Sequence, residues 1–188
     1  MARAGRAKPK AAAPQGRTAY SIIVIAAAVA GLVWLVLATS SGSADDATCP
    51  ADTECVTAHT DTGDHVFTVE WAIEPAEQTC GLMFREAMAA DHGMVFDFRT
   101  DGDHTFWMRN TLISLDMIFI RGDGEVVNVA ANTTPLSLAS VPSTGPVRYV
   151  LEVVAGTADR IGLEPGDRFD LARRPGLTAG TAVCFPPI

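Results

Sequence analysis

The 188-residue sequence has no lysine after Lys10 and no acidic residue before Asp45. Lacking lysine, the downstream chain carries its positive charge only on guanidinium groups, which stay ionised and can grip carboxylates two-pronged. Nine arginines against 22 acids leave residues 45–188 at net −13. No basic stripe is therefore available to displace counterions from phosphates, and neither nucleic acid nor an anionic lipid surface is an expected partner of this part. The chain also lacks a Gly-rich phosphate loop, a nucleophile elbow, a His-Glu-x-x-His helix and a Ca²⁺ loop, so it gives no positive sign of enzyme activity and names no cofactor. It has no Cys-x-x-Cys pair. Its four cysteines, Cys49, Cys55, Cys80 and Cys184, are too widely spaced for a zinc site and, in an exported chain, favour disulfides. Four cysteines allow three pairings; Cys49–Cys55 and Cys80–Cys184 are the pairs expected here.

Residues 1–18 form a basic tail holding Arg3, Arg6, Lys8, Lys10 and Arg17, and Ala19 to Ala38 then runs twenty positions without a charge. That is about the length needed to cross a bilayer core as a helix, and the positive-inside rule keeps the basic tail cytoplasmic. The expectation is a single-pass membrane anchor with the rest of the chain outside the cytoplasm. A cleaved signal is the alternative, with Gly42-Ser43-Ala44 as the cleavage region and a secreted product; the apolar run is longer than the usual signal core. Residues 39–63 are rich in Ser, Thr, Asp and Gly and read as a flexible tether. Residues 64–171 make one domain, leaving 172–188 as a C-terminal tail.

Within the domain, Phe67, Val69, Trp71 and Ile73 alternate with Val66, Thr68 and Glu70, the pattern of a half-buried strand. Pro75 sets a helix start, predicting a short helix over Ala76–Met83, and a second helical turn is expected around Arg85–Ala89. Met94, Phe96 and Phe98 alternate again. Leu115–Ile120, Gly122-Asp123-Gly124 and Glu125–Ala130 predict a hairpin. Further on come a strand at Val147–Val154, a short helix near Thr157–Ile161 capped by Thr157, and a closing strand at Arg168–Leu171. Short strands with one or two short helices predict a mainly β fold, an antiparallel sandwich or open barrel.

Three blocks, GLMFREAMAADHGMVFDF (Gly81–Phe98), FWMRNTLISLDMIFI (Phe106–Ile120) and YVLEVVAG (Tyr149–Gly156), resemble the bacterial and archaeal family called domain of unknown function 192. The resemblance covers about a hundred residues and implies a compact, β-rich, jelly-roll-like domain, often preceded by a signal or lipoprotein segment. It implies no reaction. The chain departs from the common pattern at Arg109, where lysine is frequent, and at Ser114, where proline is frequent.

Candidate site residues fall into three groups. Asp116 and Glu152 each interrupt an apolar strand, where a carboxylate is costly unless paired. They are read either as structural acids held by Arg85, Arg109 or backbone N–H groups, or as the acid/base pair of an envelope glycan hydrolase. Trp107, Arg109 and Asn110, with Arg85, combine an aromatic surface with hydrogen-bonding groups suited to a small-ligand or sugar pocket. Their plainer reading is a core tryptophan beside a turn-capping asparagine. Met83, Met88, Met94, Met108 and Met117, accompanied by His92 and His104, would suit Cu(I), although methionine among Leu, Phe and Ile is an ordinary gap filler. The favoured reading is a membrane-tethered, extracytoplasmic module without catalytic activity that binds a small ligand or envelope component; the hydrolase and the Cu(I) protein are its rivals.

Overall fold

The computed structural model describes Cys49 and residues 53–172. The apolar run 19–38, Cys184 and the tail beyond residue 172 lie outside the described residues, so the expectations placed on them stay there. Among the described residues no helix is long and apolar enough to cross a membrane.

In chain order the elements are β1 (Cys55–Thr60), β2 (Gly63–Ala72), α1 (Pro75–Cys80), β3 (His92–Gly102), β4 (Thr105–Phe106), β5 (Leu115–Ile120), β6 (Val126–Ala130), β7 (Val141–Pro142), β8 (Val147–Val154), α2 (Thr157–Arg160) and β9 (Arg168–Asp170). Seven strands form one sheet in the order β6-β5-β8-β3-β2-β1-β9, and β4 and β7 form a separate two-stranded ribbon. The protein is thus mainly β, a curled, open barrel-like sheet with two short helices, as its alternating segments predict. One pair departs from the antiparallel expectation: β2 and β3 run parallel, because α1 and the loop after it carry the chain back to the start of the sheet.

β1 corrects the tether boundary. Residues 55–60 are a strand rather than part of a flexible segment, with Val56 opposite Phe67 and both Val56 and Ala58 buried. Its alternation of Val and Ala with Thr and His is weak because Ala58 supplies so little apolar surface. The helical turn expected at Arg85–Ala89 is also absent. Phe84 has φ 65° and gives its N–H to the carbonyl of Asn110 at 2.8 Å, which turns the backbone out of a right-handed helix just before that segment.

α1 starts on Pro75, where the missing N–H costs nothing. The Glu77 carboxylate accepts the N–H groups of Ile73 and Glu74 at 2.9 and 3.0 Å. It ends on Gly81, with φ 51°. α2 has no side-chain cap, contrary to the role expected of Thr157; its N-cap is Gly156, with φ 82°.

The central strands are covered on both faces. Trp71, Val95, Ile118, Leu151, Val153 and Phe169 belong to one core inside the curl. Met94, Phe96, Met117, Phe119 and Val150 belong to a second on the opposite face, joined by Leu82 and Met108 from the loops. Burial on both sides explains why Leu115–Ile120 is a continuous apolar run broken only by Asp116. Each large side chain so buried contributes roughly 1.5–3 kcal/mol.

The curl brings the two ends of the sheet together. Phe169 N–H donates to Gly124 O at 2.8 Å, and Val126 N–H donates to Asp167 O at 2.8 Å, so β9 touches β1 on one side and the start of β6 on the other. Gly124 has φ 93°, and a Cβ there would lie 2.4 Å from Phe169 O. Only glycine fits that turn.

Candidate functional site

Glu152 lies in the middle of β8, opposite Met94 of β3 on one side and Met117 of β5 on the other. Cross-strand partners share a face, so its side chain joins the second core, where it is 4% exposed. Nothing among the described residues hydrogen-bonds its carboxyl group. Burial alone pushes that group from 4.5 up to about 8, so at neutral pH it holds its proton.

The carboxyl group faces a cavity of about 330 Å³, bounded by the end of α1, by Phe96 and Phe98 of β3, and by His104, Phe106 and Trp107. Gly81 makes room for it: a Cβ there would lie 3.0 Å from the Phe96 ring and 3.8 Å from Glu152 Oε2. Gln78 fixes α1 to the sheet by donating to Asp97 O at 2.9 Å. On the other wall, the β4–β7 ribbon sets Phe106 edge-on to Phe96, with centroids 5.0 Å apart, while His104 stacks on Phe98 at 3.7 Å. His104 Nε2 is buried without a hydrogen-bond partner, and burial holds its pKa below the usual histidine range. The site therefore presents a protonated carboxyl and a neutral imidazole, both with unused hydrogen-bonding capacity, inside aromatic walls.

The residues singled out in the sequence are distributed unevenly around this cavity. Asp116 is opposite Val153 in the β5–β8 register, one position from the Met117–Glu152 pair, so it points to the other face. There it is fully buried and accepts the N–H groups of Asn132 at 2.7 Å and Ala158 at 2.9 Å. It secures α2 and the loop at Asn132 with backbone donors. The two acids cannot meet in one cleft, which corrects the reading of Asp116 and Glu152 as a hydrolytic pair.

Of the four expected pocket residues, only Trp107 lines the cavity. Arg85 is turned to Glu70, its Nη2 donating to Oε2 at 2.6 Å, and this pair is about one-third exposed. Arg109 lies over the outer Trp107 ring at 5.3 Å. Asn110, with φ 55°, donates to Met83 Sδ at 3.8 Å. The metal candidates do not make one ligand set: His92 is exposed and bonded to Asp91, Met94 and Met108 are core residues, and Met108 Sδ accepts from the Thr133 hydroxyl at 3.2 Å. Among the described residues no three His, Cys, Asp or Glu side chains gather as metal ligands. Cys49 and Cys55 form the expected disulfide. Cys80 is also disulfide-bonded; Cys184 lies outside the described residues.

Sequence reasoning missed Gly81 and Phe98 as parts of the site and read His104 only as a companion of the methionines. Gly81 opens the first family-like block, and His104 begins the aromatic stretch that ends at Trp107. The signal was a glycine beside large apolar residues, where only a close approach explains its choice.

The Novosphingobium aromaticivorans DSM 12444 protein of unknown function has a solved structure similar to this one, with 40% identity, a TM-score of 0.63, and coverage of 70% of this chain and 99% of that chain. That relative's chain is almost entirely the shared domain. A Sinorhizobium meliloti 1021 protein, provisionally assigned as a transcription regulator, matches at 45% identity with a TM-score of 0.61, covering 63% of this chain and 92% of that chain. No curated protein matches the chain. The family DUF192, described as "Uncharacterized ACR", matches residues 56–171, which takes in β1 and ends just beyond β9. More than half of the chain, including every wall of the Glu152 cavity, lies within that match, and the protein belongs to the DUF192 family.

Proposed function

We propose that the domain is a non-catalytic binding module for a small molecule, held at a membrane by residues 19–38 and working outside the cytoplasm. The observation that carries the binding site is Glu152: a buried carboxyl with no partner is costly in a finished core, yet this one opens on a cavity with aromatic walls. A ligand that bonds to it supplies what the protein does not. The charge-free run behind a basic tail supports the anchor, and the Cys49–Cys55 bridge suits an oxidising compartment. The net −13 of residues 45–188 favours a small molecule over nucleic acid as the partner.

The test is a thermal-shift screen of purified residues 47–188 against a small-molecule panel, run in parallel on Glu152→Leu. Compounds that raise the melting temperature of the parent are expected to lose that effect in the variant. A panel that stabilises both proteins equally, or neither, would place binding elsewhere and end this reading.

A further inference from the structure

We infer that the Glu152 cavity selects a small organic cation with an apolar body, such as a quaternary ammonium compound, over neutral or anionic molecules of the same shape. The inference rests on the binding-module reading and adds the charge of the ligand. Among the described residues Glu152 is the one carboxyl group in the cavity wall, and no arginine or lysine lines it. The arginines nearest in sequence to the lining residues have partners of their own: Arg85 with Glu70, Arg99 with Glu74, Arg109 on the Trp107 ring, and Arg148 with Asp97. An anion would meet a carboxyl and the π-systems of Phe96, Phe98, Phe106 and Trp107 with no cation to receive it. A cation meets the reverse, because aromatic faces attract positive charge, and a buried carboxylate gains the counter-charge it lacks.

Proton linkage follows from the same arrangement. Binding of a cation converts the Glu152 carboxylic acid to carboxylate and releases one proton to solvent. Affinity then rises by about tenfold per pH unit until the carboxyl is ionised in the free protein. The groups around Glu152 leave little else to produce that slope. β3 and β5 bring Met94 and Met117 to its sides, and α1 brings Gln78, Thr79 and the disulfide-bonded Cys80. Among the described residues His104 is the one other titratable side chain in the wall, and burial lowers its pKa, so it charges only at lower pH.

The experiment is isothermal titration calorimetry of residues 47–188 with choline and with its neutral isostere, in which carbon replaces the ammonium nitrogen. Titrations run at about pH 6, 7 and 8 in buffers of different ionisation enthalpy, so that proton release is read directly. Choline is expected to bind at least about tenfold more tightly than the isostere near pH 8, with the advantage falling as pH drops and lost by about pH 6. Glu152→Gln is expected to erase both the advantage and the proton release. Equal binding of the two probes, a pH-independent preference, or no choline binding overturns the cation inference. In each of those cases, Glu152-dependent hits from the thermal-shift screen would leave the binding module standing, and their absence would remove it too.

Discussion

Replacing Glu152 by glutamine tests whether its place in the core raises the pKa of its carboxyl group as far as burial implies. The folded state raises the Glu152 pKa from 4.5 to about 8, so the native protein binds a proton that the unfolded chain has released. Stability from this group is complete below about pH 4.5 and drains away as pH rises through about 8. At about 1.4 kcal/mol per pH unit, the loss is on the order of 3 kcal/mol by pH 7 and 5 kcal/mol at full ionisation. Glutamine cannot ionise, so the variant escapes the slope, at the expense of burying an amide that costs roughly 1–2 kcal/mol more than the acid without new partners. The two stability curves are therefore expected to cross, with the parent more stable near pH 5 and Glu152→Gln more stable near pH 8. Urea denaturation at several pH values, with the m-value checked for constancy, measures this. His59, whose pKa is raised by its bond to Asp64 and then by Asp170, gives the parent a further slope of the same sign. That slope is common to both proteins and cancels in their difference. A difference that stays flat from about pH 5 to 8.5 would mean that Glu152 ionises as freely as in water, and the site described above would lose its basis.

Asp116→Ala removes the acceptor of two buried N–H groups and is expected to cost about 3 kcal/mol, whereas Asp116→Asn keeps one acceptor oxygen and is expected to cost less. Chemical denaturation of both variants decides it, and a parent-like midpoint for Asp116→Ala would defeat the structural role. The Cys49–Cys55 bridge closes a short loop, with a sequence separation of 6, so the double serine variant is expected to lose about 2 kcal/mol. Non-reducing peptide mapping shows whether the pair forms, and denaturation of the variant gives the loss.

The strands that were legible in the sequence carry large side chains at regular spacing. Val147–Val154 is β8 itself, and Leu115–Ile120 with Gly122-Asp123-Gly124 gives the β5–β6 hairpin. β1 was illegible because its inward positions are Val56 and Ala58, too small to raise a periodic signal above the Thr and His between them. The candidate site failed differently. Both acids were recognised as anomalous within their strands, yet which face each one takes depends on where the strand crosses its neighbour. A single step, Asp116 opposite Val153 rather than Glu152, separates a catalytic pair from two unrelated groups. The cavity is also assembled from segments as far apart as Gln78 and Glu152, and no local pattern reports such an assembly.

The meeting of β9 with both ends of the sheet bears on how the protein behaves in a crowded compartment. Strand edges with unpaired N–H and C=O groups are templates on which other chains add and aggregates grow. Here Phe169, Gly124, Val126 and Asp167 pair one terminal strand with the beginning of the other. Farther along β6, Asn128 donates to Pro142 O and accepts from Thr144 N–H, covering part of what would remain open. β9 and the turn just before it thus act together as the seal for the edge of β1 and the start of β6. A chain cut just before Gly166 would leave both of those edges bare at once, exposing templates for fibrous association.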